Sequence, residues 1–256
     1  MAGACLAALA SGLAACGSGT AAPKATVKAT TSPPGNVSSP TTTQTTNGPA
    51  TVQVEDAGFS QRDTGFGSGT PPGVGWGAVL RNVSASQDAL HVTVSANFLD
   101  TTGMILTTDT TTTNVIPAGT TYYGAGFVQL HKGEKVAKIE VSADVSSSEP
   151  ARYTLPQVSH VRLVKDDYGM PEVDGQVMNA FAQTLSQDAR ITAVLFDGTG
   201  HVIGGGLDFL NADLRPGRSA AFEVNIGTDC APAAKTVKAA VSMENAITTP
   251  YDGIGL

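Results

Sequence analysis

The chain repeats itself, and the repeat constrains the fold more than any single motif does. Asn82, Phe98-Leu99-Asp100 and Gly103 are matched 97 positions later by Asn179, Leu195-Phe196-Asp197 and Gly200. Pro117-Ala118-Gly119 is matched by Pro216-Gly217, and Lys138-Ile139-Glu140-Val141-Ser142 by Lys238-Ala239-Ala240-Val241-Ser242, 100 positions apart. The same landmarks occur twice in the same order with small loop insertions. Two tandem copies of one fold account for this better than one large sandwich.

Within each copy the pattern is that of strands. His91 to Phe98 alternates polar and apolar side chains, which gives a strand one wet face and one buried face. No stretch after the N-terminal segment sustains an apolar stripe of period 3.6. Thr and Val are abundant, and Gly and Pro interrupt the chain at short intervals. The first copy is expected to have strands near Val52–Val54, Ala78–Val83, Leu90–Leu99, Met104–Thr110, Tyr122–Leu130 and Val136–Ala143. In the second they fall near Val158–Val164, Gly175–Phe181, Arg190–Phe196, His201–Leu207, Ala220–Ile226 and Val237–Met243. The expected fold class is all-β: two tandem immunoglobulin-like β-sandwich domains, residues 51–149 and 152–248, with their boundary near the polar stretch Ser146–Pro150.

The N-terminal segment has a different character. Residues 2–15 carry no charge and are mostly Ala, Leu and Gly, an apolar run too short to span a bilayer. Leu13-Ala14-Ala15-Cys16, followed by Gly17, resembles the lipobox of bacterial lipoproteins. The resemblance implies that residues 1–15 are a signal segment and that the Cys16 thiol receives a diacylglycerol. The chain would then be cut before Cys16 and its new amine acylated. It implies a lipid anchor in the cell membrane, with the protein on its extracellular or periplasmic face. Each buried methylene contributes about 0.8 kcal/mol, so two or three acyl chains hold a protein stably on a bilayer. Such signals open with Lys or Arg, whereas the first basic residue here is Lys24; a basic segment is therefore expected upstream. Residues 16–50 then form a Thr-, Pro- and Ser-rich tail that lacks the apolar area to fold. As a disordered linker it has a root-mean-square span of about 30–35 Å.

The two copies also resemble the FxLYD family, an immunoglobulin-like module common in exported bacterial lipoproteins and often found in tandem. The residues that carry this are Gly175 to Asn179 and Leu195-Phe196-Asp197, with Asn82 and Phe98-Leu99-Asp100 in the first copy. The first copy exchanges the Leu and aromatic positions, and neither copy has the family's leading Phe, since Ala96 and Ala193 stand there. The resemblance implies a fold and a compartment, and no reaction.

Several side-chain sets invite a functional reading. Net charge is −7, distributed as +2 in the tail, −5 over residues 51–150 and −4 over residues 151–256. No segment is a basic patch, which argues against nucleic acid as a partner. Asp100-Thr101-Thr102-Gly103 and Asp197-Gly198-Thr199-Gly200 could suggest calcium. They lack the regular spacing of oxygen ligands that a calcium loop requires, and Asp followed by Gly fits a turn. Asp63-Thr64-Gly65 has the aspartic-protease triplet but no preceding apolar strand and no second copy to share a proton. Gly65 to Gly77, with six glycines and Trp76, reads either as a loop with Trp76 turned inward or as a binding loop that presents Trp76 to a ligand. Gly204-Gly205-Gly206 reads as a bulge or a turn.

His91, His131, His160 and His201 have no partners at metal-ligand spacing, and adjacent Ser159 and His160 point to opposite faces of a strand. Asp166, Asp167, Glu172 and Asp174 form an acidic region, either solvated or facing a cation or basic partner. Cys230 is the one thiol outside the presumed signal and anchor, either a small loop or buried residue or half of an intermolecular disulfide. These observations lead to an expected non-enzyme with no cofactor or metal, a binding module of the cell envelope that contacts protein or glycan. The alternative is a small-ligand binder that uses the Gly65–Gly77 loop.

Overall fold

The computed structural model describes residues 49–62, 72–165, 171–226 and 234–241. These form twelve strands: β1 Val52–Arg62, β2 Gly73–Asn82, β3 Gln87–Leu99, β4 Ile105–Ile116, β5 Thr121–Gln129, β6 Lys138–Pro150, β7 Gln157–Lys165, β8 Pro171–Met178, β9 Arg190–Phe196, β10 Val202–Phe209, β11 Ser219–Asn225 and β12 Thr236–Val241. No helix occurs among the described residues. The alternation noted in the sequence is the cause: on β3, Val92, Val94, Ala96 and Phe98 are buried while Thr93, Ser95 and Asn97 lie on the wetter face.

The strands form four three-stranded antiparallel sheets, ordered β1-β2-β5, β4-β3-β6, β7-β8-β11 and β10-β9-β12. The second six strands repeat the topology of the first six strand for strand. The fold is all-β, with immunoglobulin-like sandwiches that bury one face of each sheet. Trp76, Leu80, Phe98, Ile116 and Ile139 fill the first core; Val173, Val177, Ile191, Leu195 and Phe222 fill the second.

The repeated landmarks have repeated structural roles. Asn82 is fully buried. Its Nδ2 donates to the carbonyls of Gln87 and Ile116, both at 2.9 Å, and its Oδ1 accepts from the Ser84 amide. Asn179 does the same with the carbonyls of Gln183 and Leu214 and the Phe181 amide. A buried backbone carbonyl without a partner is costly, and one amide side chain in each copy satisfies a buried carbonyl and a partly buried one.

Three expectations need correction. Strand β6 runs on to Pro150, with Glu149 opposite Asp88, so Ser146–Pro150 is strand and the chain crosses between sandwiches after it. The crossing is held by Asp88, whose Oδ2 accepts from the amides of Arg152 and Tyr153, at 2.7 and 3.0 Å. Lys138 pairs with Leu99 while Thr236 pairs with Phe196, so the structural counterpart of Lys138 is Thr236 and not Lys238. The shift is two residues, which keeps every side chain on its face. Strands β1 and β2 are also longer than expected, because residues 58–62 of β1 pair in register with the Gly-rich residues 73–77 of β2, from Gly58↔Gly77 to Arg62↔Gly73.

The sandwiches touch through the outer face of β1-β2-β5 and the outer face of β10-β9-β12. Ala125, Val194 and Val202 are buried between them, with Val79, Tyr123 and Phe196 around them. The approach is close enough to require glycine. A Cβ on Gly58 would lie 1.9 Å from the Val202 carbonyl oxygen, and one on Gly77 would lie 2.6 Å from that of Gly204. One on Gly205 would lie 2.8 Å from the Trp76 carbonyl oxygen. Polar bonds complete the contact: Asp56 Oδ2 accepts from the Val202 amide at 2.8 Å, and the Thr192 hydroxyl donates to the Tyr123 carbonyl.

Candidate functional site

The sequence singled out two Asp turns, and the structure makes them near copies. Asp100 Oδ1 accepts from the Thr102 amide at 2.8 Å, the Thr102 hydroxyl at 2.6 Å and the Met104 amide at 3.0 Å. Asp197 Oδ1 accepts from Thr199 and His201 in the same way, at 2.8, 2.7 and 3.0 Å. Gly103 and Gly200 close the turns at φ 86° and 85°, a conformation that glycine adopts without a steric penalty. The Thr102 hydroxyl and then the Met104 amide hold the Asp100 carboxyl below its ordinary 3.8; Thr199 and then His201 do so for Asp197. The acceptor oxygen of each Asp is occupied by its own turn, as a backbone-capping role requires.

The two turns differ in the residues just beyond them. In the second copy His201 and Val202 are docked: Val202 is buried, and His201 Nδ1 lies 3.5 Å from Asp56 Oδ2. In the first copy the corresponding Met104 and Ile105 are 63% and 54% exposed.

Trp76 lies in strand β2, is fully buried, and donates from its indole nitrogen to Asp109 Oδ2 at 2.7 Å. Residues 73–77 of the Gly-rich stretch are therefore strand, and the reading in which Trp76 is offered to a ligand is overturned. Gly126 leaves the indole its room, since a Cβ there would stand 2.5 Å from Trp76 Nε1. Gly204 is a bulge, as expected, at a register shift of β10 against β9; its neighbour Gly205 serves the close contact between sandwiches. His91 and His160 take left-handed backbone conformations, at φ 48° and 55°; β7 shifts register against β8 at His160, whereas β3 keeps one register on both sides of His91. Among the described residues no three His, Cys, Asp or Glu side chains come together as metal ligands. Cys16, Cys230, Asp63-Thr64-Gly65, the loop residues 65–71 and Asp166-Asp167 lie outside the described residues.

The sequence reading missed the contrast between the two copies of one sheet face. Register places Gly58, Gly77 and Ala125 opposite one another on β1, β2 and β5, and Arg162, Asp174 and Glu223 opposite one another on β7, β8 and β11. Val79 corresponds likewise to Gln176. The first set is small or apolar and covered by the second sandwich. The second set is polar and borders an open depression of about 550 Å³ beside His160. Arg162 donates to Asp174 Oδ2 at 3.0 Å there, and its side chain is 72% exposed. The offset of 97 between Asn82 and Asn179 already pairs Gly77 with Asp174; the landmark matching compared like residues and so passed over positions where the two copies differ.

No protein-family model matches the sequence, and no curated protein matches it. Among solved structures the chain is similar to red sea bream transglutaminase, at 12% identity and a TM-score of 0.21. The match covers 75% of this chain and 30% of that one. At so low a score the likeness carries no argument about activity.

Proposed function

We propose that the chain is an exported lipoprotein, acylated at Cys16 and held at the outer face of the cell membrane, whose paired sandwiches act as a non-catalytic binding module. The observation that carries the binding reading is the contrast between equivalent faces. The β1-β2-β5 face is small and covered, whereas the β7-β8-β11 face keeps Arg162, Asp174, Gln176 and Glu223 in solvent. Hydrogen-bonding groups displayed on a sheet suit a polar protein surface or a glycan of the envelope. The lipobox-like Leu13-Ala14-Ala15-Cys16 and the tail to residue 50 support the anchor and give it reach.

Metabolic labelling with an alkyne-bearing palmitate tests the anchor. The parent chain takes the label and sediments with membranes; Cys16→Ala takes none and is recovered in the soluble fraction. Native protein that carries no acyl group overturns the reading. A photoreactive residue at Gln176 tests the face in intact cells. It gives a discrete cross-linked product there, and the same residue at Thr110, on the outer face of the first sandwich, does not.

A further inference from the structure

Where the sandwiches meet, the two sheets leave a groove of about 350 Å³ between them. One wall comes from the first sandwich. Asp56, Val79 and Tyr123 form one row across β1, β2 and β5, with Glu55 beside them at the β1 bulge. The other wall comes from the second. Phe196 pairs with Thr236 across β9 and β12, and Lys238 follows two residues on, hence on the same face. The rings of Tyr123 and Phe196 meet edge to face, with centroids 6.3 Å apart at 89°. Burial, and then the charge of Glu55, push the Tyr123 hydroxyl above its ordinary range, which agrees with a carboxylate close to that ring.

The charges are divided between the walls. Glu55 is 43% exposed and reaches Arg81 only at 3.9 Å. Lys238 is exposed and forms no ion pair with any described residue. The groove therefore has an acidic and aromatic wall facing a wall with a cation. An anion alone would meet two carboxylates, a cation alone would meet Lys238, and an apolar ligand would leave three charges to desolvate. A ligand with both charges satisfies both walls. Its ammonium would sit by Glu55 and against the ring faces, where a cation gains further attraction. Its carboxylate would reach Lys238. The volume lies at the small end of ligand sites, roughly 300–1,000 Å³, which suits one or two residues.

We propose that the groove between the sandwiches binds a small zwitterion, an amino acid or short peptide with free termini. This goes beyond the interaction face on β7-β8-β11, and neither requires the other. Calorimetric titration of the full chain with L-alanyl-L-alanine, its N-acetyl form and its C-terminal amide tests it. The free dipeptide binds with Kd of about 1 mM or tighter, and each blocked form binds about five- to tenfold more weakly. Lys238→Ala weakens the free dipeptide by a similar factor and leaves the amide unchanged. Glu55→Gln weakens the free dipeptide and the amide and leaves the acetylated form unchanged. Both replacements are at exposed side chains, and circular dichroism checks that the fold is kept. Absence of heat at about 10 mM dipeptide, equal affinity for free and blocked forms, or indifference to both substitutions overturns the proposal.

Discussion

Gly77→Asp is the most direct test of how the sandwiches are joined, because it gives β2 of the first copy the residue that β8 of the second carries at Asp174. At residue 77 a Cβ meets the Gly204 carbonyl oxygen at 2.6 Å and the Val194 methyls at 3.0 and 3.2 Å, against an ordinary contact of 3.4 Å or more. The sheets must separate by about 0.8 Å at that point. Overpacking of this kind costs about 1–3 kcal/mol, and a carboxylate beside Val194 without a partner adds several more. The total is about 4 kcal/mol or more. At about 2–4 °C per kcal/mol for a chain of this size, a variant that stays docked melts roughly 8–16 °C lower. If the sandwiches part instead, a single calorimetric transition becomes two. The control is Asp174→Gly, which loses an ion pair with an exposed partner and puts glycine in a strand. It costs about 1–1.5 kcal/mol. Should Gly77→Asp melt as one transition within about 2 °C of the parent, the close contact between the sheets is wrong.

Other consequences can be checked in the same preparations. Asn82→Ala and Asn179→Ala each strand one buried and one partly buried carbonyl, so each lowers unfolding stability by about 2–3 kcal/mol in urea titrations, and the two values agree within about 1 kcal/mol. Trp76 is the single tryptophan and is fully buried; its emission is blue-shifted in the native state, resists iodide quenching, and moves to the red only on global unfolding. Trp76→Phe deprives Asp109 of its indole donor and costs about 1.5–3 kcal/mol. The Asp100 and Asp197 carboxyls sit below their ordinary 3.8 in the folded chain. What they contribute is therefore present above that pH and lost as pH falls through the lowered values. The stability gap between the parent and Asp100→Ala is flat at neutral pH and closes under acid, measured by thermal melts from neutral pH downward.

Much of the fold was legible because it rests on local signals. The strict alternation of β3 fixes its buried face, and the duplicated Asn, Asp and Gly landmarks mark turns whose bonds are made by those residues themselves. Strand β9, Arg190–Phe196, was placed residue for residue, since an apolar run bounded by turns leaves little freedom. What stayed hidden depends on contacts distant in sequence. Gly73, Gly75 and Gly77 read as a loop because glycine weakens a strand locally; only the Phe127 ring at Gly73 and the second sandwich at Gly77 explain the first and last of them. The β6 extension was missed because Ser146–Glu149 has no apolar side chain to mark it, yet it pairs along β3. The groove was out of reach for the same reason: Glu55, Tyr123, Phe196 and Lys238 converge only through the docking of two domains.

The two sandwiches mate through unlike surfaces, one donating its front and the other its back. Head-to-tail contacts of that kind have no natural stopping point, and identical modules joined so would grow into a filament. Here growth is capped at both ends. Arg162, Asp174 and Glu223 deny a third module the tight seat that glycine provides at the junction, and Ser95, Asn97 and Thr110 present the opposite end as a wet hydroxyl and amide surface. Both free ends of the described pair are thus polar, and a handful of charged-to-glycine exchanges at one of them would be the shortest route to a fibre.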